Sequence, residues 1–288
     1  MKTIDTLVGD IYEVIKGNGG WNATISQTLG KDISNLAAER FSNRQEPRGY
    51  LSMSSLGTPC KRKIWYKVNK ASEQMELPSA ALLKFFFGDM VESLVLNLAI
   101  AAGHKVEGMQ SRMEINGIKG HRDAVIDGMT IDVKSASPLS FAKFKEGRLR
   151  QDDPFGYISQ LSSYVYAGQN DDTVVDKTKG AFLVVDKVNG HIYLDVHDFT
   201  EELKNKEQEI EDIKALVKGD LPEERFDPVP LTKDSPNTKL CLSCSYCDFR
   251  ELCWPEARTF IYSKGPVHLV DVVNEPKVPE LGKEDLRF

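Results

Sequence analysis

The feature that most constrains the fold is the dipeptide Asp127-Gly128, which lies between two strand-like segments. Aspartate followed by glycine is a strong signal for a two-residue β-turn, because both turn positions take a positive φ. The flanking segments, residues 119–126 and 130–136, are rich in residues that strands favour. We therefore expect an antiparallel hairpin in the middle of the chain, and with it a β-sheet.

The rest of the chain alternates strand and helix signals. A further strand is predicted at residues 111–115 and a second hairpin around Asn189-Gly190, whereas residues 80–102, 153–168 and 200–218 have helical patterns. This alternation predicts an α/β fold with a central mixed sheet flanked by helices. We divide the chain into residues 1–50 (short helices), 51–225 (core), 226–264 (a cysteine lobe that includes Cys60) and 265–288 (an extended tail).

The central hairpin brings two carboxylates together. With Asp127-Gly128 as the turn, antiparallel pairing places Asp123 opposite Asp132. Cβ atoms of directly opposite residues are about 4.5–5.5 Å apart on the same face. Because side chains alternate along a strand, Lys134 lies on the same face as Asp132.

This constellation is typical of metal-assisted phosphate chemistry. Two facing carboxylates repel each other unless a cation lies between them, and hard carboxylate oxygens suit Mg²⁺ or Mn²⁺. Lys134 adds a positive charge where an attacking water would be held. The alternative is an exposed hairpin with an ordinary ion pair between Asp132 and Lys134.

The charge distribution leaves nucleic acid open as a partner. The net charge of −6 does not indicate a DNA-binding protein, but residues 40–70 contain eight Lys or Arg and one acid. Within this stretch, basic residues that could neutralise phosphates alternate with aromatic residues that could stack on unpaired nucleobases. The candidates are Lys61, Arg62, Lys63, Trp65 and Lys67. The alternative is that Ile64, Trp65 and Tyr66 are core residues, and that the lysine and arginine side chains are solvated and bind nothing.

The cysteines predict a metal site in a reducing compartment. The chain has five, and Cys241, Cys244, Cys247 and Cys253 fall within thirteen residues. Three thiolates come from Cys244, Cys247 and Cys253, and a fourth would come from Cys60 or Cys241. The spacing does not distinguish a 4Fe–4S cluster from a structural zinc ion.

Taken together, these residues resemble the PD-(D/E)XK nuclease superfamily in its RecB-like branch, over residues 53–254. Asp123 and Asp132-Val133-Lys134 are similar to its core motif, Gly88 and Glu92 to its upstream helical motif, and Gln160 and Tyr164 to its Q-x-x-x-Y motif. The family often has His at the position of Glu92 and Glu at that of Asp132, and both replacements keep a metal ligand. The cysteines resemble those of the CRISPR-associated and AddB-type nucleases.

The resemblance implies a restriction-endonuclease-like core and a DNA exonuclease that uses Mg²⁺ or Mn²⁺. Glu92, Asp123 and Asp132 would bind the metal, Lys134 would position water, and Gln160 and Tyr164 would orient substrate. It favours a 4Fe–4S cluster held by Cys60, Cys244, Cys247 and Cys253, with Cys241 as a bystander. Zinc remains the alternative.

Two other functions fit the same residues. One is a DNA-processing subunit of a recombination or spacer-acquisition complex, with recombination or replication proteins as partners. The other is a non-catalytic DNA-binding module that keeps the cluster. The N-terminus lacks a secretory signal. The apolar residues 80–102 contain Lys84, Asp89 and Glu92, so a buried core helix explains them better than a membrane span. We therefore expect no membrane partner and a cytoplasmic location. A phage-encoded protein that acts in the host cytoplasm fits the same expectation.

Overall fold

The chain forms two compact units. A computed structural model describes residues 2–42, 47 and 49–282. Unit 1 comprises Met1–Glu46, Ser52–Gly57 and Leu83–Ile213, and unit 2 comprises Pro47–Leu51, Thr58–Leu82 and Lys214–Phe288. All predicted acidic site residues lie in unit 1, and all five cysteines lie in unit 2.

The helices and strands follow in chain order. The helices are α1 (Leu7–Ile15), α2 (Ala23–Ser42), α3 (Met53–Leu56), α4 (Lys61–Asn69), α5 (Ser79–Ala101), α6 (Pro138–Lys145), α7 (Tyr157–Ala167), α8 (Thr200–Lys218), α9 (Leu242–Ser245) and α10 (Arg250–Cys253). The strands are β1 (Val106–Glu107), β2 (Ser111–Ile115), β3 (Ile118–Arg122), β4 (Ala124–Ile126), β5 (Met129–Ala136), β6 (Lys179–Asp186), β7 (Ile192–Asp198), β8 (Val229–Pro230), β9 (Thr238–Lys239), β10 (Arg258–Tyr262), β11 (Gly265–Leu269) and β12 (Glu280–Leu281).

Unit 1 is built on a five-stranded mixed sheet in the order β1-β4-β5-β6-β7. β5 and β6 are parallel, and the other neighbouring pairs are antiparallel. The parallel pair needs a crossover connection, which α6 and α7 supply. The predicted α/β fold with a central mixed sheet flanked by helices is confirmed.

The two faces of this sheet bury different helices. Because side chains alternate, Ile131 and Leu183 pack on one face with apolar residues of α1 and of the second half of α5. Phe182 and Val184 pack on the other face with α6 and α7. Asp132 and Lys134 are four and two residues from Ala136 on the same strand, so their side chains lie on the same face as Ala136, which is the face that α7 covers.

The Asp127-Gly128 turn forms as predicted. Both residues have positive φ, +49° and +84°, as the tight hairpin turn requires. The observed pairs Ile126–Met129, Val125–Thr130 and Ala124–Ile131 confirm the predicted register as far as Ala124. The predicted Asp123–Asp132 pair lies just beyond the start of β4 and is not one of the observed strand pairs.

Two helices differ from expectation. Helix α7 begins at Tyr157, not at Pro154 with Asp153 as its N-cap, because Gly156 has φ +73° and the Asp153 carboxylate accepts from the Ile158 amide at 2.9 Å. Residues 80–102 were expected to be a buried helix, but only the second half of α5 is buried, and Leu83, Phe85 and Phe87 in the first half are each about half exposed.

Unit 2 contains a second sheet in the order β12-β10-β11-β9-β8, with antiparallel neighbours. Residues 265–282, which were predicted to form an extended tail, contribute β11 and β12, because Phe260 and Leu269 bury an apolar face there. The last part of that predicted tail, residues 283–288, lies outside the described residues. Within the part of the chain that the structure describes, no helix combines the length and apolar character needed to cross a membrane.

Candidate active site

Asp123 lies where the chain enters the central sheet. β3 ends at Arg122 and pairs with β2, whereas β4 begins at Ala124 and pairs with β5. Asp123 Oδ2 accepts a hydrogen bond from the Val133 amide at 2.7 Å. The carboxylate is therefore fixed against the edge of β5, beside Asp132.

Asp132 and Lys134 form a buried ion pair on the α7 face of β5. Lys134 Nζ lies 2.5 Å from Asp132 Oδ2, and Asp132 is 3% exposed. The Lys134 ammonium therefore balances the negative charge on this buried oxygen. The Asp132 carboxylate is also a hard oxygen ligand that a divalent cation could share with Lys134.

Glu92 approaches the same site from α5. Burial raises its pKa to about 7, and the charges of Asp132 and Asp89 act in the same direction. Gln110 donates a side-chain hydrogen bond to Glu92 Oε1, and Asp89 is held by Arg40 at 2.6 Å. Glu92 therefore carries its negative charge at a cost when no cation is present.

The three carboxylates are close enough to perturb one another. The pKa of Asp123 is raised well above its usual value, first by burial and then by the charges of Asp132 and Glu92. Burial would lower the pKa of Lys134, but Asp132 and Asp123 outweigh it and raise that pKa. Lys134 is therefore an ammonium group at neutral pH.

The Gln160 and Tyr164 side chains meet this cluster from α7. They are one helical turn apart, and Gln160 lies within hydrogen-bonding reach of the Tyr164 hydroxyl. Burial raises the pKa of Tyr164 to about 12, and the charge of Asp132 adds to this effect. The structure thus brings Glu92, Asp123, Asp132, Lys134, Gln160 and Tyr164 into one site.

Two residues at this site were missed from the sequence. Tyr157 lies with its ring centroid 4.7 Å from Lys134 Nζ, and burial raises the pKa of its hydroxyl. Its spacing of three residues before Gln160 was a signal that could have found it. Gln110 follows a glycine-containing loop, and no regular helix or strand spacing in the sequence relates it to Glu92.

The acidic side chains suit a hard divalent cation by their chemistry. Among the described residues no three His, Cys, Asp or Glu side chains stand in the arrangement of a formed metal site. The possible ligand atoms are nevertheless oxygens of three crowded carboxylates, which Lys134 balances with one positive charge. An oxygen-rich site with unbalanced negative charge favours Mg²⁺ or Mn²⁺ over softer metals.

The cysteines of unit 2 are buried or half-buried and free. Burial raises the pKa of Cys244 to about 12, with Cys241 adding to the effect, and raises that of Cys247 to about 11. The charge of Cys60 contributes to the raised pKa of Cys244, Cys247 and Cys253, so the four predicted ligands lie near one another.

Two buried donors point to thiolates at this site. The Arg62 Nε and Trp254 Nε1 atoms have no acceptor among the residues that the structure describes. Burial raises the pKa of the Cys244 thiol, and the Trp254 indole opposes that rise. Burial also raises the pKa of the Cys253 thiol, and the Arg62 guanidinium opposes that rise. N–H donors beside sulfur would stabilise deprotonated, metal-bound cysteines. The chemistry of these residues therefore fits either a cluster or zinc.

The predicted DNA-binding residues lie on α4. Ile64 and Tyr66 are buried, and Tyr66 stacks on Phe249. Arg62 donates to the Pro222 carbonyl at 2.7 Å and Trp65 to the Gly219 carbonyl at 2.8 Å. Arg62 and Trp65 are thus engaged within unit 2, whereas Lys61 is exposed and Lys63 and Lys67 are half-buried. Arg44 and Arg48 of the predicted basic region lie outside the described residues.

The fold and site together define an α/β protein with a buried acidic cluster on the central strand of its sheet. No family model matches the chain, and no curated protein matches it. Among solved structures the chain is similar to one described as "Crystal structure of SSO0001", at 17% identity over 80% of this chain and 96% of that one, with a TM-score of 0.39. A likeness at that TM-score carries no argument about this chain.

Proposed function

We propose that the protein is a DNA exonuclease of the PD-(D/E)XK type, RecB-like branch, that hydrolyses phosphodiester bonds with Mg²⁺ or Mn²⁺. It would act at DNA ends or on single strands. The observation that carries the proposal is the crowding of the Glu92, Asp123 and Asp132 carboxylates beside the single ammonium of Lys134.

Each side chain has a distinct role in this proposal. A bound divalent ion would lower the pKa of a water molecule and neutralise the phosphate. Glu92, Asp123 and Asp132 would hold this ion through their oxygens. Lys134 stays protonated because its pKa is raised, so it orients the attacking water and stabilises negative charge on the phosphate and does not act as a base.

Gln160 and Tyr164 would orient the substrate from α7. The raised pKa of Tyr164 keeps its hydroxyl protonated at neutral pH, so it can donate a hydrogen bond to a phosphate oxygen. Attack of the water on phosphorus breaks the P–O bond to the neighbouring nucleotide, and the departing oxygen takes up a proton.

The cysteines would hold a 4Fe–4S cluster with a structural role, with zinc as the alternative. Cys60, Cys244, Cys247 and Cys253 are the proposed ligands. Protein purified without oxygen should be brown, with absorbance near ~400 nm from thiolate-to-iron charge transfer. Colourless protein with one zinc ion per chain would replace the cluster with zinc.

DNA contact would come from the lysines of α4, because Arg62 and Trp65 are engaged elsewhere in unit 2. Reversing the charge of Lys61 and Lys63 should weaken DNA binding and reduce its dependence on salt, since fewer counterions would be released.

The proposed protein would act in the cytoplasm, where conditions are reducing and DNA is accessible.

A second candidate is a subunit of a larger DNA-processing assembly. The first half of α5 exposes Leu83, Phe85 and Phe87, each about half accessible, and exposed apolar side chains close together favour a protein partner. Recombination or replication proteins would be the partners. This candidate keeps the same chemistry at the acidic site.

The decisive experiment compares wild type with Asp132→Ala on end-labelled single- and double-stranded DNA, in Mg²⁺, Mn²⁺ or EDTA. We expect degradation by the wild type with either metal, none in EDTA, and a loss of at least about 10³-fold in rate for the variant. Equal degradation by both proteins would reject this site. A folded wild-type protein that binds DNA without cleaving it would favour a non-catalytic module.

A further inference from the structure

Gln110 has a backbone conformation that side chains rarely adopt. Its φ is +51°, two residues after Gly108, whose φ is +55°. This left-handed region carries a conformational cost for glutamine, which glycine would avoid. A non-glycine residue held there indicates that its surroundings fix it in place.

Two hydrogen bonds hold Gln110, and both lead to the acidic site. Its backbone amide donates to the Asp123 carbonyl at 3.0 Å. Its side-chain amide donates to Glu92 Oε1 on α5. One residue therefore links two acids that lie on different segments of the chain.

We propose that Gln110 is a positioning residue, which orients the Glu92 carboxylate and the Asp123 segment toward a shared divalent cation. The inference rests on the function proposed above. Because Gln110 engages Oε1 of Glu92, the second oxygen of that carboxylate is left for the cation. Outer hydrogen bonds of this kind fix the orientation of metal ligands.

A purely structural role would give different behaviour. The Gln110 side chain is exposed, so its bond to Glu92 contributes little to packing. Glycine at this position keeps the positive φ, relieves its cost and removes only the side-chain amide. Gln110→Gly should therefore weaken metal binding without weakening the fold.

Asn116→Gly is the matched control. Asn116 has φ +49° and lies in the turn between β2 and β3. That turn is at the opposite end of the hairpin from Arg122, the residue before Asp123. Both variants replace an amide side chain with glycine in the same backbone conformation, so a difference between them reflects the position of the residue.

The experiment titrates Mn²⁺ into the full chain without DNA, by calorimetry, and records thermal unfolding in parallel. We expect Mn²⁺ affinity to fall about 10–100-fold in Gln110→Gly and to stay at the wild-type value in Asn116→Gly. Gln110→Asn, which keeps the amide but is one methylene shorter, should weaken Mn²⁺ binding as Gln110→Gly does. It also serves if the glycine variant does not fold.

The outcomes separate this inference from the nuclease proposal. If Gln110→Gly and Gln110→Asn bind Mn²⁺ as the wild type does while Asp132→Asn does not, Gln110 is not a positioning residue and the nuclease proposal stands. If the wild type binds no Mn²⁺ and cleaves no DNA, both fall together.

Discussion

At the scale of single residues, charge links the acidic site to the stability of unit 1. Asp123 is crowded by Asp132 and Glu92, and burial and these charges raise its pKa. Without a cation, the protein must either protonate this carboxylate or bear the repulsion. Active sites often hold such an unfavourable arrangement, because the ligand that relieves it is the functional one.

Removing one of these charges should therefore stabilise the metal-free protein. We expect Asp123→Asn to raise the free energy of unfolding in EDTA by about 1 kcal/mol, or about 2–4 °C in midpoint. The amide oxygen can still accept from the Val133 N–H. The same variant should lose the stabilisation that Mn²⁺ gives the wild type. Circular dichroism melts test both effects, with Asp172→Asn on an exposed residue as control.

The titration of Glu92 should make stability fall as pH rises. Its pKa is about 7 in the folded protein against an ordinary 4.5, so the folded state favours the protonated form. That contribution is fully present below about 4.5 and is lost as pH rises through about 7. In EDTA the unfolding midpoint of the wild type should drop across this window, and Glu92→Gln should flatten the drop. An identical pH profile for both proteins would contradict this assignment.

At the scale of secondary-structure elements, a glycine pair sets the start of α7, which carries Gln160 and Tyr164. A Cβ on Gly156 would lie 1.3 Å from the Gly57 carbonyl oxygen, and the φ of Gly156 is +73°. The N-terminus of α7 can therefore approach the segment after α3 only without a side chain.

Alanine at this contact should cost more than backbone strain alone. We expect Gly156→Ala to destabilise the protein by at least about 3 kcal/mol, and Gly147→Ala by about 1–2 kcal/mol. Gly147 has φ +65° with open space around it, so it isolates the strain. Urea unfolding gives both values, and equal losses would mean that the Gly57 contact relaxes freely.

The elements predicted best from the sequence were those set by local rules. The Asp127-Gly128 turn predicted the hairpin and its register, because turn geometry fixes which residues pair. The start of α7 was predicted three residues too early, because Asp153-Pro154 resembles a helix start while the contact between Gly57 and Gly156 decides the true one. Tertiary contacts of this kind leave no trace in local sequence.

The candidate site was predictable to the same extent. Asp123, Asp132 and Lys134 follow from strand pairing, and Glu92, Gln160 and Tyr164 came from motif spacing. Gln110 could not be found, because its role depends on a backbone conformation and on a partner eighteen residues away. The half-exposed state of α5 was also hidden, since an apolar composition does not say which turns are covered.

At the scale of the whole molecule, the cysteines join distant parts of the chain. Cys60 belongs to the stretch Thr58–Leu82 of unit 2, and the other four belong to Lys214–Phe288. A metal centre held by both stretches would close a very long loop, and loop closure of that kind stabilises the fold by restricting the unfolded chain.

The two candidate fourth ligands can be separated by substitution. We expect Cys60→Ala to lose most of its bound iron or zinc and to unfold at a lower temperature. Cys241→Ala should keep both, because Cys241 is proposed to be a bystander. Metal analysis of the two purified proteins, beside the wild type, gives the answer. The reverse result would make Cys241 the ligand.

The hydrogen bond from the Val133 amide to Asp123 also offers a built-in reporter. An amide proton held by a carboxylate shifts in an NMR spectrum when that carboxylate changes its charge or its partner. A single backbone resonance would therefore record when the acidic site fills and empties. In isotope-labelled protein, no substrate would be needed to follow it.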